Sequence, residues 1–363
     1  MSRMVLLLGG TGAIGHYLVR ELVAIGYSVV VTTRSQHNEE ARVRYINGDA
    51  RDNAFLKSLL AEIKPDAIID FMIYPTFEFL DRYKLLLEST SHYFFLSSYT
   101  VFADNLPLTE DSPRLLDVCT DADFLRTDDY PLRKARCENI LRNSGRRNWT
   151  ILRPSITYST NRFQFGCLEA DTVCYRSFQN LPVVIASEVL DKTTTLTWAG
   201  DTAKMIARLV FNKAAMCEAF NLATAESLKW REVASIYENA IGLKYIETTL
   251  KNYVGLCGLS GVMYDRMFNR SLDNSKVLAV TGLKQSELRP VADGLKSEAV
   301  AFKLSPKYKK INLWQNAQID RLCGSRIDLS EYSLRQKLSY LRMRYDAVGR
   351  VADVALALKR MAV

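Results

Sequence analysis

A tyrosine and a lysine four residues apart are the pair in this sequence whose types and spacing best suit proton transfer. Tyr130 and Lys134 stand in the segment YPLRK, and a separation of four places both side chains on one face of a helix. A free tyrosine is protonated at neutral pH because its pKa is near 10, but a neighbouring ammonium favours the phenolate. The pair is therefore predicted to be an acid/base site. The alternative is an exposed helix tyrosine beside a solvated lysine.

A glycine-rich turn near the start of the sequence has the pattern that a bound pyrophosphate requires. Residues 9–15 read GGTGAIG, and they follow the apolar run Met4–Leu8 and open an amphipathic helical pattern. Glycines at the first, fourth and seventh positions permit a tight turn, close approach of a phosphate, and close helix–strand packing. The helix N-terminus adds unpaired N–H groups and partial positive charge. The turn is therefore predicted to bind a dinucleotide, the alternative being a purely structural turn. The expected contacts are Gly9, Gly10, Thr11, Gly12, Ala13 and Ile14.

The end of the second predicted strand bears on the choice between NAD and NADP. An acidic residue there would bond the ribose 2′-hydroxyl of NAD, but this sequence has Thr33, Arg34 and Ser35. A guanidinium can hold a 2′-phosphate through two hydrogen bonds. We therefore expect NADP, with NAD as the alternative if Arg34 is a solvated surface charge. After the third strand, Asp49 is expected to accept a hydrogen bond from the adenine amino group, beside Ala50.

Two adjacent serines complete the set of candidate catalytic residues. Ser97 and Ser98 follow the apolar run Tyr93–Leu96. Ligands of open α/β sheets bind at the carboxyl ends of the strands, so a hydroxyl here is placed to reach a substrate. The order of glycine turn, serine at a strand end and Tyr-x-x-x-Lys predicts one redox site built on one sheet.

These candidate residues need a parallel sheet to bring them together. Short apolar runs alternate with helical patterns of about 10–15 residues, which is typical of βαβ units with helices on both faces. Thr193–Thr197 and Phe220–Ala223 are expected to return to the same sheet. The sequence predicts an α/β fold, a Rossmann-type doubly wound parallel sheet with a smaller C-terminal lobe. The predicted strands are Met4–Leu8, Tyr27–Thr33, Arg42–Ile46, Ala67–Ile73, Tyr93–Leu96 and Trp149–Leu152, and the predicted helices are Gly12–Ile25, Asn53–Ile63, 77–90 and Asp129–Arg142.

Length and composition allow a sheet domain and a smaller lobe. The 363 residues are 48% apolar and 24% charged, which excludes a disordered or coiled-coil chain. We expect a dinucleotide-binding domain at 1–158, to which 193–224 return, a substrate lobe at 159–192 and 225–302, and a basic helical extension at 303–363. No apolar run approaches the roughly 20 residues of a membrane span. Seven cysteines without a CxxC pattern indicate free thiols in a reducing compartment, hence a cytoplasmic protein without a metal site.

The positive charge of the sequence is concentrated in the extension. Residues 303–363 hold 13 Lys/Arg and 5 Asp/Glu, whereas residues 1–302 hold 35 of each sign. A neutral body argues against a nucleic-acid-binding surface. Within the extension, Ser330 is expected to cap a basic helix whose apolar stripe packs on the body or on a partner subunit, giving a homo-oligomer. An anionic membrane surface and nucleic acid are the alternatives. The stripe comprises Leu334, Leu338, Leu341 and Tyr345.

Taken together, these motifs resemble those of the extended short-chain dehydrogenase/reductases of the nucleotide-sugar epimerase/dehydratase type. The resemblance covers about residues 1–300. The motifs that carry it are GGTGAIG at 9–15, GDARD at 48–52, SSYTVF at 97–102, YPLRK at 130–134 and LRPSITY at 152–158.

This resemblance implies a role for each matching residue. Ser98, rather than Ser97, aligns with the catalytic serine of the family, because YTVF follows it. Ser98 would bond the reacting oxygen, Tyr130 would be the acid/base, and Lys134 would bind the nicotinamide ribose. The substrate diphosphate would lie in the smaller lobe, where arginine is a natural partner. Tyr130 would also contact the cofactor, and further cofactor contacts would come from Phe71, Met72, Pro154 and Ile156. The candidate substrate-binding residues are Arg162, Arg176 and Arg266.

The implied chemistry is hydride transfer at a sugar carbon, usually C4, of a nucleotide-linked sugar. A reductase suits Arg34 because it releases its cofactor at each turnover, whereas an epimerase would retain NAD. The sequence departs from the family pattern at Phe71–Tyr74, where small residues are usual, and at Phe102–Ala103, where Tyr-Gly is usual. Two other functions stay open: a non-catalytic or RNA-binding protein on this scaffold, and a dehydrogenase of a non-sugar ketone.

Overall fold

A seven-stranded parallel sheet carries the candidate residues in the computed structural model of the chain, which describes residues 2–38, 41–160 and 162–345. The spatial order is β7-β6-β5-β4-β1-β2-β3, and every neighbouring pair is parallel. The order reverses between β1 and β4, the point at which such sheets bind dinucleotides. The predicted Rossmann-type sheet is confirmed. The strands are β1 (Met4–Leu8), β2 (Ser28–Thr33), β3 (Val43–Asn47), β4 (Ala67–Asp70), β5 (His92–Leu96), β6 (Trp149–Pro154) and β7 (Glu218–Leu222).

Both faces of this sheet are covered, which explains why its strands are apolar without alternation. Val5 and Leu7 of β1 point into one apolar core, and Leu6 and Leu8 point into a second core on the opposite face. Helices supply the other side of each core. They are Ala13–Ile25, Asn53–Ile63, Thr76–Glu88, Leu115–Val118, Ala122–Arg126, Tyr130–Arg142, Ala199–Leu209 and Ser275–Thr281.

The sheet and these helices form the first of two compact units. Unit 1 comprises residues 2–159, 193–228 and 268–291. The prediction for Thr193–Thr197 is wrong: Leu196–Trp198 pairs with Ile156–Tyr158 in a separate two-stranded parallel ribbon. Ile156–Tyr158 begins only after β6 has ended at Pro154, so a strand that pairs with it is not part of the seven-stranded sheet. Residues 268–291, expected in the smaller lobe, lie in unit 1.

Unit 2 comprises residues 160–192, 229–267 and 292–345 of the described chain. Val183–Ala186 pairs in parallel with Tyr245–Thr248, and Gln164–Phe165 forms a hairpin with Leu168–Glu169. The helices are Ala170–Phe178, Ser187–Leu190, Trp230–Ile241, Leu250–Cys257, Leu259–Gly261, Val262–Arg266, Val291–Leu304, Leu313–Cys323 and Leu334–Arg344. No helix among residues 2–38, 41–160 and 162–345 combines the length and apolarity needed to cross a membrane.

The described part of the extension is integral to unit 2 rather than a separate domain. Its last helix is capped by Ser333, not by Ser330 as predicted. The predicted apolar stripe is wrong at Leu334 and Leu338, which are 80% and 64% exposed, whereas Leu341 packs against the core that contains the fully buried Tyr340. The helix is oriented by the Tyr340 hydroxyl, which donates to a buried carboxylate, and hydrophobic periodicity does not report such a bond. Residues 346–363 of the predicted extension lie outside the described residues.

Candidate active site

The glycine turn after β1 contains one glycine that the protein itself does not require. Gly9 has a left-handed φ of 70°, and its N–H donates to Thr32 Oγ1 at 2.8 Å. A Cβ at Gly15 would overlap the carbonyl of Gly10, so that glycine permits the close helix–strand approach. Gly12 has an ordinary φ of −79°, and a Cβ there would meet no protein atom within 4 Å. Open space over a glycine at a helix N-terminus fits a phosphate that approaches the backbone.

A cavity of about 340 Å³ opens beside this turn, along the carboxyl ends of β1 to β4. Seven of the predicted cofactor contacts line it: Gly9, Thr11, Arg34, Asp49, Ala50, Phe71 and Met72. Five lining residues were not predicted: Thr32, Thr33, Gly48, Arg51 and Ile73. The two threonines could have been found from their place at the end of β2, next to Arg34. The shape and lining of the cavity fit the adenosine half of a dinucleotide.

The two arginines of this cavity differ in their partners. Arg51 donates to the Glu78 carboxylate at 2.6 and 3.3 Å, and this hydrogen bond raises the Arg51 pKa. Arg34 is exposed and makes no hydrogen bond or ion pair within the described ranges of the chain. Its donors are therefore available to a ligand. Asp49 Oδ1 accepts from the N–H of Arg51 at 2.9 Å, which fixes the turn after β3 at the cavity wall.

The adjacent serines after β5 have different surroundings. Ser97 donates to Glu138 Oε1 at 2.6 Å, and Arg153 donates to both oxygens of the same carboxylate at 2.9 and 2.7 Å. Burial raises the pKa of Glu138, but Arg153 and Ser97 outweigh burial and hold that pKa below its usual range. Ser97 is thus committed to a buried ion network. The neighbouring Ser98 has different hydrogen-bond partners.

Ser98 is positioned as a hydrogen-bond donor. It caps the short turn Tyr99–Val101, and its Oγ accepts from the N–H and the hydroxyl of Thr100 at 3.2 and 3.0 Å. A hydroxyl that accepts two bonds keeps its own hydrogen for a third partner. This difference favours Ser98 over Ser97 as the residue that reaches a substrate oxygen.

Tyr130 and Lys134 lie in the first turns of helix Tyr130–Arg142. Asp129 caps this helix, accepting from the N–H of Tyr130 at 2.6 Å. Lys134 is buried, and its Nζ donates to the carbonyl of Leu96 at 2.6 Å, at the carboxyl end of β5. The same ammonium lies 5.9 Å from the ring centroid of Tyr130, which is half-buried. The helix therefore holds the pair at the strand end that carries Ser98.

A buried acid supports the cavity wall after β4. Asp70 accepts from the N–H of Met72 at 2.9 Å and from the hydroxyl of Tyr93 at 2.8 Å. Burial raises the pKa of Asp70 to about 6, although these two hydrogen bonds and the charge of Lys134 oppose the rise. Met72 lines the cavity, so Asp70 orients the backbone that borders it. The sequence analysis missed this role, since a lone acid in an apolar strand carries no partner information.

The three candidate substrate arginines, all in unit 2, differ in what they can offer. Arg176 is fully buried and donates to Pro182 O, Asn316, Asp320 and Ser325. Its donors are used inside the fold, which argues against a role in binding a diphosphate. Arg266 is mostly buried and donates to Gly166 O, Gln164 and Asp265. Arg162 is half-exposed and remains a candidate for binding the substrate diphosphate.

The remaining predicted cofactor contacts lie at the edge of the sheet or in its core. Gly10 and Ile14 are buried against the sheet. Pro154 ends β6, and Ile156 begins the next strand after buried Ser155, whose hydroxyl bonds Thr197 at 2.6 Å.

Comparison with known proteins finds similarity to one family at the start of the chain. Residues 5–76 match the model of the NAD dependent epimerase/dehydratase family. A segment of 68 residues is 38% identical to the UDP-glucose 4-epimerase of Lacticaseibacillus casei, covering 18% of this chain and 20% of that protein. The chain thus matches about a fifth of the length of this curated relative.

Solved structures show the fold over most of the chain. The UDP-glucose 4-epimerase of Bifidobacterium longum, in complex with NAD+ and UDP, superposes with a TM-score of 0.64 at 21% identity, covering 84% of this chain and 98% of that one. The dTDP-glucose 4,6-dehydratase of Bacillus anthracis, in complex with NAD, superposes with a TM-score of 0.62 at 14% identity, covering 84% and 97%. At such identities the likeness shows the fold alone. The fold that the motifs imply is confirmed, and over residues 5–76 the family model agrees with the resemblance inferred from the motifs.

Proposed function

We propose that this protein is an NAD(P)-dependent enzyme that transfers a hydride at a carbon of a nucleotide-linked sugar, with Tyr130 as acid/base. The observation that carries the proposal is the arrangement at the carboxyl edge of the sheet. A cavity with an open glycine turn lies at the topological switch point, and Ser98, Tyr130 and Lys134 converge on the end of β5. The family-model match over residues 5–76 supports the same proposal.

The residues present fit a dinucleotide. The N–H groups at the start of helix Ala13–Ile25 would hold the pyrophosphate, since Gly12 leaves room for it. Asp49 would face the adenine, and the unpaired Arg34 guanidinium would hold a 2′-phosphate. On this ground we propose NADP rather than NAD, although the relatives with a bound cofactor are described with NAD.

When bound, the nicotinamide would supply or accept the hydride. The chain's own residues would handle the proton and the oxygen. Ser98 would donate its free hydroxyl hydrogen to the substrate oxygen, which stabilises charge developing there. Tyr130 would give its phenolic proton to that oxygen during reduction and take it back during oxidation. The Lys134 ammonium, held by Leu96 O, would stabilise the phenolate left behind.

The substrate class follows from the family and from unit 2. The relatives named above act on UDP- or dTDP-linked sugars, and we propose the same chemical class here, with reduction of a 4-keto group or epimerisation at C4 as the reaction. Arg162 would be the arginine of unit 2 that meets the diphosphate. A cytoplasmic location accords with the seven cysteines, all of which are free.

The proposal is tested by substrate and cofactor together. Purified protein would be incubated with UDP- and dTDP-linked sugars and 4-keto sugars, in the presence of NADPH, NADH, NADP+ or NAD+. We expect NADPH-dependent reduction, followed by absorbance of the reduced cofactor, or interconversion of C4 epimers, followed by chromatographic separation of the two epimers. Turnover of apolar ketones with no reaction of any nucleotide sugar would contradict the substrate class. Protein purified with tightly retained NAD would contradict the choice of NADP.

A further inference from the structure

Two free cysteines of unit 2 lie in contact, outside the site described above. Cys167 lies in the hairpin turn between Gln164–Phe165 and Leu168–Glu169, and Cys257 is the last residue of helix Leu250–Cys257. Their thiols share a hydrogen bond, and both residues are partly exposed. The two cysteines are 90 positions apart in the sequence, so no short motif predicts that they pair.

The hairpin turn that presents Cys167 is held from two sides. The N–H of Cys167 donates to the hydroxyl of Tyr253 at 2.8 Å, and Arg266 Nε donates to the carbonyl of Gly166 at 2.8 Å. Gly166 has a left-handed φ of 56°, and a Cβ there would overlap the Tyr253 hydroxyl. Tyr253 is fully buried and precedes Cys257 by one helical turn. The same tyrosine therefore anchors the turn of one thiol and the helix of the other.

The two thiols have opposite acid–base character. The hydrogen bond from Cys257 lowers the pKa of the Cys167 thiol, and the charge of Arg266 acts in the same direction. That same hydrogen bond, together with burial, raises the pKa of the Cys257 thiol. Cys167 is the better nucleophile of the two, because thiolate is the reactive form. Cys257 is the proton donor beside it.

Three other cysteines of the chain lack these properties. Cys137 and Cys174 are buried, and burial raises the pKa of each thiol to about 12. Burial also raises the pKa of Cys323 to about 11. Such thiols are inert at neutral pH. Burial therefore makes these three thiols much less reactive than Cys167.

We propose that Cys167 and Cys257 form a peroxide-oxidisable pair that closes to a reversible disulfide within one chain. The Cys167 thiolate attacks hydrogen peroxide, breaking its O–O bond to give a sulfenic acid and hydroxide. The Cys257 sulfur then attacks the Cys167 sulfur, forming the S–S bond and releasing water. Two thiols lose two electrons, which reduce the peroxide. The two thiols already share a hydrogen bond, and disulfide formation brings the sulfurs to the bond length of about 2.05 Å.

The experiment uses the full reduced chain titrated with hydrogen peroxide. We expect two of the seven thiols to be lost and to return on addition of dithiothreitol. After alkylation and tryptic digestion without reductant, residues 163–176 should be linked to residues 252–266. The Cys257→Ser variant should stop at a sulfenic acid on Cys167, trapped by dimedone. In Cys167→Ser the initial rate of peroxide-dependent thiol loss should fall about tenfold, as expected when the thiolate is removed.

The control variant is Cys174→Ser, because Cys174 lies on the same tryptic peptide as Cys167 but is buried. It should keep the loss of two thiols and the cross-linked peptide. The proposal is overturned if all thiols react at one rate, if the linked peptides come from different chains, or if Cys257→Ser yields no dimedone adduct on Cys167.

Discussion

Arginines of the two units show what makes a side chain available to a ligand. Arg34 in unit 1 lies at the cavity rim, exposed and without a partner among the described residues. Arg176 in unit 2 is fully buried, and its guanidinium donates to four acceptors of the fold. Both were candidates on the sequence because both are arginines in plausible places. A guanidinium whose donors are already used by the fold contributes to stability, and one whose donors are free contributes to binding.

The largest expected effect is a loss of stability when Arg176, whose donors are used inside the fold, is replaced. Arg176→Leu removes the nearer guanidinium partner of the buried Asp320 carboxylate, at 2.7 Å, and leaves only the Arg344 guanidinium at 3.7 Å. Breaking a buried pair from one side costs about 3–5 kcal/mol. We expect urea denaturation to show a loss of that size. The matched control is Arg231→Leu, which removes an exposed pair with Asp191 and should cost at most about 1 kcal/mol. Equal losses of stability in the two variants would contradict the distinction between arginines that are bonded inside the fold and arginines that are exposed.

The second effect is a pH-dependent change in the free energy of unfolding caused by the buried Asp70 of unit 1. Because burial raises its pKa from 3.8 to about 6, the folded state binds the proton more tightly than the unfolded state. Asp70 therefore makes the protein less stable as pH rises from about 4 to about 6. The penalty approaches 3 kcal/mol, at about 1.4 kcal/mol per pKa unit. The stability difference between wild type and Asp70→Asn should shift by that amount between pH 4 and pH 7, measured by urea denaturation at each pH. Parallel pH profiles would contradict it.

The third effect is a loss of cofactor affinity when Arg34 is replaced. Arg34→Ala should weaken NADP(H) binding by about 10- to 100-fold, the worth of hydrogen bonds to a charged group. NAD(H) binding and the midpoint of unfolding should change little, because Arg34 has no partner to lose in the described chain. Isothermal titration with both cofactors measures this. The control is Arg44→Ala on β3, which removes an exposed ion pair with Glu62. An equal loss for both cofactors would show that Arg34 does not read the 2′-phosphate.

The smallest expected effect extends the comparison from side chains to the backbone. Gly12→Ala adds a methyl group into open space at an ordinary φ, so stability should change by less than about 0.5 kcal/mol. Cofactor affinity should fall about tenfold, because the methyl group would occupy the approach of the pyrophosphate. Gly15→Ala is the contrasting variant, since its methyl group would overlap Gly10 O and unfold the turn. Unchanged cofactor binding in Gly12→Ala would place the pyrophosphate elsewhere.

Features set by local sequence were predicted well. The strand Met4–Leu8 and the helix Asn53–Ile63 have the predicted bounds. Their limits depend on short-range signals, namely an apolar run that ends at Gly9 and a cap at Asp52 whose side chain accepts from Ala54 N–H. The position of the glycine turn and of Arg34 beside it followed from the same local rules.

Features set by distant partners were not predictable. Arg176 is held by Asp320, 144 positions later, and no spacing rule connects the two. The face of helix Leu334–Arg344 that is buried depends on the bond from Tyr340 to the same Asp320, whereas its leucine spacing indicated the opposite face. Ser97 and Ser98 have the same side chain, and only the contact with Glu138 separates their roles.

The central claim is that Tyr130 transfers the proton at the substrate oxygen, and Tyr130→Phe tests it most directly. With the nucleotide sugar that the substrate panel identifies, the rate of hydride transfer in single-turnover kinetics should fall by about 10²–10⁴-fold, the usual contribution of an acid/base group. Cofactor affinity should stay within about twofold of wild type, since Tyr130→Phe keeps the aromatic ring and the other predicted cofactor contacts are unchanged. Tyr83→Phe, on helix Thr76–Glu88, should leave both quantities unchanged. A Tyr130→Phe enzyme that retains the wild-type rate would contradict the account.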